Sequence, residues 1–173
     1  IKKEKQQRKV RLLHKFFYTE LRKEQQELLE AASKVMGTAY NPYSRFYVGA
    51  ALRTESGIIV VASNVENAAY GSTICAERNA LGRGNAEGHR TYTAVAIVGR
   101  GETFDVTTAV SPCGSCRQML NEAADVSGHD LEVIMSSTKM ENIVVSTIRN
   151  LLPLGFGPLT LGMDVSRYRE SRK

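Results

Sequence analysis

Between Phe46 and Leu152 the sequence switches repeatedly between the two-residue apolar period of strands and the period of helices. That alternation narrows the available folds more than any other feature. Phe46–Arg53 and Ile58–Ala62 read as two strands turned at Glu55-Ser56-Gly57. Thr73–Leu81 reads as a helix ended by Gly82, Thr93–Val98 as a buried strand, Gly114 to about Ala124 as a second helix, and Leu131–Met135 as a further strand. A weaker strand at Ile143–Ser146 and a short helix at Thr147–Leu152 precede Pro153. Ahead of these, Leu21, Leu28, Leu29, Ala32 and Val35 form the apolar stripe of a helix over Thr19–Met36, which Asn41-Pro42-Tyr43-Ser44 breaks. Strands alternating with helices imply a layered α/β sheet. At 173 residues, with no internal repeat or low-complexity linker within 19–162, the chain fits one domain with a real core.

The net charge of +5 suggests a nucleic-acid partner until it is located. Residues 1–15 carry seven Lys or Arg against one Glu, and residues 164–173 carry four basic against two acidic residues, which leaves −3 for the body. A mildly acidic body with basic ends is a poor phosphate-tracking surface, so the expectation is solvated tails and no nucleic-acid partner. The expected divisions are a basic extension over 1–18, a domain over 19–162 and a basic tail over 163–173. No apolar run approaches the roughly 18 residues of a membrane span. The chain begins at Ile1 rather than Met, compatible with a fragment or a processed form. With no signal peptide visible, a cytoplasmic location without membrane contact is expected.

Three cysteines, Cys75, Cys113 and Cys116, are an odd number and argue against a disulfide framework. Cys113-Gly-Ser-Cys116 has the spacing of a bidentate thiolate pair, and zinc favours thiolates in tetrahedral geometry. Cys75 lies 38 residues upstream and, like the pair, at a predicted helix start, where backbone N–H groups and partial positive charge favour thiolates. Three protein ligands leave a fourth position for water, as a catalytic zinc requires. Buried free thiols, or a closed structural site with another ligand, fit the same cysteines. Glu77 distinguishes the catalytic reading: two residues past a ligand, its carboxylate can reach a metal-bound water and shuttle protons without ligating the metal. His14, His89 and His129 have no ligand-like spacing and read as surface residues.

A ligand-x-Glu followed by Pro-Cys-x-x-Cys is the signature of the zinc deaminases. The chain resembles the compact, homotetrameric cytidine deaminases, from about Glu27 to Leu161. The resemblance is carried by Tyr40-Asn-Pro-Tyr-Ser-Arg-Phe-Tyr-Val-Gly-Ala-Ala-Leu52, Asn64-Val-Glu-Asn-Ala-Ala-Tyr70, Cys75-Ala-Glu-Arg78, Pro112-Cys-Gly-Ser-Cys-Arg-Gln118 and Leu151-Leu-Pro-Leu-Gly-Phe156. It implies a three-layer α/β/α fold with a central mixed five-stranded sheet flanked by helices. It also implies hydrolytic deamination of cytidine and deoxycytidine in pyrimidine salvage. Cys75, Cys113 and Cys116 would hold Zn²⁺, with Glu77 as proton shuttle and Arg78 hydrogen-bonding the sulfurs. Asn64 and Glu66 would bind the ribose; residues i and i+2 of an extended segment face the same way. Phe46 and Phe156 would flank the base, Phe156 coming from a neighbouring subunit. Tyr70 would sit near the sugar across an interface, and the Ala76 backbone would meet the base edge.

Three other readings compete. A deaminase of a cytosine antibiotic such as blasticidin S shares the zinc signature, but its substrate lacks an ordinary ribose, and Asn64 with Glu66 favours a nucleoside. A polynucleotide-editing deaminase typically has His as its first ligand and a basic, aromatic channel; Cys75 and the acidic body argue against it. A non-catalytic binding protein on the same fold is at odds with an intact Glu77 and three thiols.

Overall fold

A computed structural model describes residues 14–169 of the chain. The sheet comprises β1 (His14–Phe16), β2 (Phe46–Thr54), β3 (Ile59–Ser63), β4 (Tyr92–Gly101), β5 (Glu132–Ser136) and β6 (Ile143–Thr147), in the spatial order β1-β6-β5-β4-β2-β3. Four helices accompany it: α1 (Lys23–Met36), α2 (Ala76–Ala86), α3 (Gly114–Ser127) and the single turn α4 (Ile148–Leu151). Only the β4–β5 pairing is parallel among the neighbouring strands.

Side-chain alternation along β4 shows why the chain forms three layers. Ala94, Ala96 and Val98 pack with Leu28, Leu29 and Ala32 of α1, while Val95 and Ile97 pack with Ala80, Leu120 and Ala124 of α2 and α3. A strand buried on both faces reads as a continuous apolar run, as Thr93–Val98 does. The α/β/α layering expected from the sequence is therefore present.

β2 pairs antiparallel with both β3 and β4, so β3 and β4 run the same way. Chain leaving the carboxyl ends of these two strands leads into α2 and α3 respectively. Both helices lie on one face and begin at the same end of the sheet, where open α/β sheets place their ligands.

Several elements differ from the sequence reading. The sheet has six strands rather than five, because His14–Phe16 pairs antiparallel with Ile143–Val145. Three residues, two of them exposed and basic or ionisable, carry no strand signal of their own; pairing with the β6 edge and packing of Phe16 on the α1-side core create the strand. α1 begins at Lys23, preceded by a 3₁₀ turn over Tyr18–Glu20 in which the Glu20 carboxylate accepts the Phe17 N–H. Gly82 does not end α2: it lies on an open face, and burial of Ala76, Ala80, Leu81 and Gly84 carries the helix to Ala86 despite a cost of about 1 kcal/mol for a mid-helix glycine.

The segment set aside as a tail is docked as far as it is described. Arg169 Nε donates to the Val126 carbonyl at 2.9 Å, and Arg90 Nη1 to the Tyr168 carbonyl at 3.4 Å. The basic stretches 1–13 and 170–173 lie outside the described residues. Among the described residues, no helix is long and apolar enough to cross a membrane.

One close approach fixes the α1 layer. A Cβ on Gly49 of β2 would sit inside the van der Waals envelope of the Ala32 carbonyl oxygen and 2.9 Å from the Met36 nitrogen. Backbone cannot give as a flexible side chain can. Gly49→Ala should therefore cost at least the roughly 1–3 kcal/mol of core overpacking. Thermal unfolding would read this as a fall in Tm of several degrees, and an unchanged Tm would contradict the packing described.

Candidate active site

Cys75 is the N-cap of α2 and Cys113 the N-cap of α3, with Cys116 in the first turn of α3. Both helix N-termini thus point their unpaired N–H groups and positive dipole ends at the same sulfurs. The three Sγ atoms lie within 4.8 Å of one another, Cys75–Cys113 at 3.9 Å and Cys113–Cys116 at 3.5 Å. Tetrahedral zinc with thiolates at about 2.3 Å requires sulfurs about 3.8 Å apart, so the donor set and its spacing fit that metal. Cys116 is buried, Cys75 half-buried and Cys113 exposed, which leaves one side of the cluster open.

The sulfurs share protons unequally. Hydrogen bonds from Cys116, then Cys113 and Arg78, outweigh burial and hold the Cys75 thiol down at about 5. The same contact, reinforced by burial, pushes the Cys116 thiol up. A dication at the centre would displace the retained proton, because coordination deprotonates thiols outright.

Arg78 lies in the first turn of α2, and its Nη2 donates to the Thr73 carbonyl at 2.8 Å. Burial works against its charge, but the hydrogen bond to Cys75 and the three sulfurs together raise its pKa above the ordinary value. Its Nε is buried without a protein partner. Glu77 is buried at 4% exposure. Burial first, and the charge of Cys75 after it, pushes its carboxyl above the usual carboxylate range. Ala76 between them is fully buried at the first helical position.

A second group forms around the segment that follows β3. Glu66 Oε2 accepts the N–H groups of Tyr43 at 3.0 Å and Ser44 at 3.1 Å. Burial acts to raise this carboxyl, but the Ser44 hydroxyl and the two N–H groups outweigh it and hold it below its usual value. Tyr43, Ser44, Glu66, Tyr70 and Thr73 line a cavity of about 400 Å³. Tyr43 and Tyr70 meet edge to face, with centroids 5.6 Å apart. Thr73, whose carbonyl holds Arg78, belongs both to this cavity and to the approach to Cys75.

Asn64 is buried beside Glu66, and its side chain spans the start of β2: Oδ1 accepts the Val48 N–H and Nδ2 donates to the Phe46 carbonyl, both at 2.9 Å. It thereby fixes the backbone that carries the half-buried Phe46. Tyr70 lines the Glu66 cavity of its own chain. Phe156 is not among that cavity's lining residues; its ring is 55% exposed, and its carbonyl accepts from Gln118 Nε2 at 2.8 Å and Asn121 Nδ2 at 3.2 Å.

The sequence reading missed Tyr43, Ser44 and Thr73. The first two stood in a quoted motif but were read as helix-breaking residues, and a backbone N–H pair aimed at a carboxylate leaves no side-chain signature. Among the described residues, the cysteine triad is the only cluster suited to a metal, and His129 instead bonds Glu55.

The family profile for the cytidine and deoxycytidylate deaminase zinc-binding region matches residues 22–127. A cytidine deaminase of Halalkalibacterium halodurans is 39% identical over 133 residues, covering 77% of this chain and 94% of that protein. The crystal structure of cytidine deaminase from Burkholderia pseudomallei superposes with a TM-score of 0.67 at 39% identity, covering 75% of this chain and 97% of that one. That from Mycobacterium tuberculosis gives 0.61 at 33%, covering 76% and 95%. The chain belongs to the cytidine and deoxycytidylate deaminase family.

Replacing Cys113 by Ser puts a weak hydroxyl ligand in place of the most exposed sulfur of the cluster. Zinc affinity should fall by more than the roughly 10–100-fold that follows loss of an outer hydrogen-bonding partner. Competition with a chromophoric chelator measures this, and wild-type zinc retention would exclude Cys113 as a ligand.

Proposed function

We propose that the chain is a zinc-dependent cytidine deaminase that converts cytidine or deoxycytidine and water into uridine or deoxyuridine and ammonia, as in pyrimidine salvage. The observation that carries this reading is a buried carboxylate, Glu77, in the first turn of α2, two residues past Cys75, whose sulfur converges with those of Cys113 and Cys116 from α3. Zinc held by Cys75, Cys113 and Cys116 supplies a Lewis acid that makes water nucleophilic near neutral pH.

The protein's own groups then move the protons. Glu77 takes a proton as the water oxygen bonds C4 of the cytosine ring and delivers it to N3. A second proton passes through Glu77 to the exocyclic amine; the C4–N bond breaks, ammonia leaves, and the C4–O bond becomes the carbonyl of uridine. Enclosure of Glu77 keeps these transfers away from bulk water. Arg78 offsets the surplus negative charge of three thiolates. The Ala76 backbone meets the base edge, and Phe46, held by Asn64, stacks on the base.

The cavity beside Glu66 suits the sugar. With Oε2 occupied by two N–H groups, the carboxylate keeps its other oxygen for a hydroxyl, and Tyr70 closes the wall. This supports a ribose-bearing nucleoside over a blasticidin-type substrate, and the acidic body supports a free nucleoside over a strand.

The exposed row Leu154, Phe156, Leu159, Leu161 and Met163 supports a homotetramer in which Phe156 completes a neighbour's site. The catalytic domain is taken as 19–162, onto which β1 of the extension 1–18 and the part of the tail 163–173 up to Arg169 are packed, in a cytoplasmic enzyme.

Glu77→Gln keeps shape but removes the shuttle, so kcat should fall at least about 10²–10⁴-fold with zinc content and fold intact. The loss of cytidine absorbance reads the rate, and a near-normal kcat would refute the assignment.

The sugar contacts predict a separate pattern. A hydrogen bond to a charged group is worth roughly 1.5–3 kcal/mol, so free cytosine and 3′-deoxycytidine should lose about 10–100-fold in kcat/KM while 2′-deoxycytidine is spared. Glu66→Gln should flatten the difference. Equal efficiency for cytidine and its 3′-deoxy analogue would favour the blasticidin-type reading.

A further inference from the structure

Two of the motifs that carry the family resemblance, Pro112–Gln118 and Leu151–Phe156, are bonded to each other. Arg117 Nη1 donates to the Leu151 carbonyl at 3.0 Å, while its Nε ties back to the Pro112 carbonyl at 2.9 Å. Gln118 and Asn121, one helical turn apart on α3, both donate to the Phe156 carbonyl. A carbonyl oxygen has two lone pairs, and here each has an amide donor, so the peptide plane at Phe156 cannot rotate without breaking a bond.

The backbone around it is equally constrained. Leu154 adopts a φ of 57° in the turn that precedes Phe156, and the Gly155 N–H closes back on the Leu152 carbonyl at 3.2 Å. A Cβ on Gly157 would collide with the Asp125 carboxylate, and one on Gly155 would press on Asn121 Oδ1 at 3.0 Å. The chain therefore lies flat against one face of α3, carbonyl inward and Phe156 ring outward. Asn121 is buried at 7% exposure while the ring it anchors is 55% exposed. From Cys116 to Asn121 the helix rises about 7.5 Å, so sulfurs and anchor share one rigid element.

We infer that Gln118 and Asn121, supported by Arg117, are positioning residues that set the direction in which α3 presents the Phe156 ring to a second copy's active site. The inference rests on the reading that Phe156 completes a neighbour's site. Gln118 and Asn121 touch neither substrate nor metal; they act through the ring. Their loss therefore weakens nucleoside binding while leaving the chemical step and the zinc site in place.

The test is a double-mutant cycle on the zinc-loaded enzyme. Gln118→Met and Asn121→Leu keep the side-chain shape and remove the donors; Phe156→Ala removes the ring. Kinetics with cytidine, zinc per chain and oligomeric state by light scattering are measured for each. Each single amide variant should raise KM roughly 2–10-fold and the pair about 10–30-fold, with kcat within about twofold and zinc and assembly unchanged. In the Phe156→Ala background the same substitutions should add nothing, because residues acting through one group are not additive. Gly157→Ala should raise KM with both donors intact.

Undiminished KM effects in the Phe156→Ala background would overturn the inference, as would loss of kcat and zinc at constant KM. A wild-type KM in the amide pair, with Phe156→Ala impaired, would overturn it while sparing the underlying reading. A wild-type KM in Phe156→Ala itself would remove both. If the pair fails to fold, the half-buried Gln118→Met carries the cycle alone.

Discussion

Three sulfurs within 4.8 Å impose conditions that reach through the whole architecture. Two of them cap different helices, so α2 and α3 must begin side by side, and this holds only because β3 and β4 run the same way on either side of β2. Both helices must also pack close to the sheet on one face. Ala76 and Ala80 on α2 and Ala123 and Ala124 on α3, all buried in the same core, keep that layer thin. Negative charge at the sulfurs is offset by two helix N-termini and by Arg78. Glu77, displaced by two residues from Cys75, is buried by the same turn that presents the sulfur.

α3 joins functions that are separate in sequence. Its first turn holds two sulfurs, its middle holds the Leu151–Phe156 segment through Arg117, Gln118 and Asn121, and near its end the Val126 carbonyl accepts Arg169. One helix therefore fixes two of the three clustered sulfurs, the Leu151–Phe156 segment and the docked C-terminal segment relative to each other. α2 couples the remaining pieces, since Arg78 reaches the Thr73 carbonyl at the rim of the Glu66 cavity.

Much of this was legible in the residues. The apolar run Thr93–Val98 marked a buried strand, and the cysteine spacing with Glu77 marked the three sulfurs that converge and the carboxylate buried beside them. Less legible were features decided by contacts distant in sequence. His14–Phe16 is a strand only because β6 has a free edge, and Gly82 stays helical only because the opposite face of α2 is buried. Asn64, expected to face a sugar, spends one donor and one acceptor on the backbone of Phe46 and Val48, an arrangement visible only once β2 and the segment after β3 lie together. Tyr43 and Ser44 serve Glu66 through main-chain N–H groups, which every residue but proline possesses and which no residue pattern marks.

The pairing of β1 with β6 also governs how the sheet meets its surroundings. Without it, Ile143–Thr147 would end the sheet as a β-branched rim with unpaired main-chain groups, the template on which strands of other molecules add. β1 replaces that rim with a strand of three residues carrying His14 and Lys15, both exposed, and tucks Phe16 against the core. Its lysine carries charge to the boundary. β1 thus contributes colloidal protection to a sheet whose chemistry lies at the N-termini of α2 and α3.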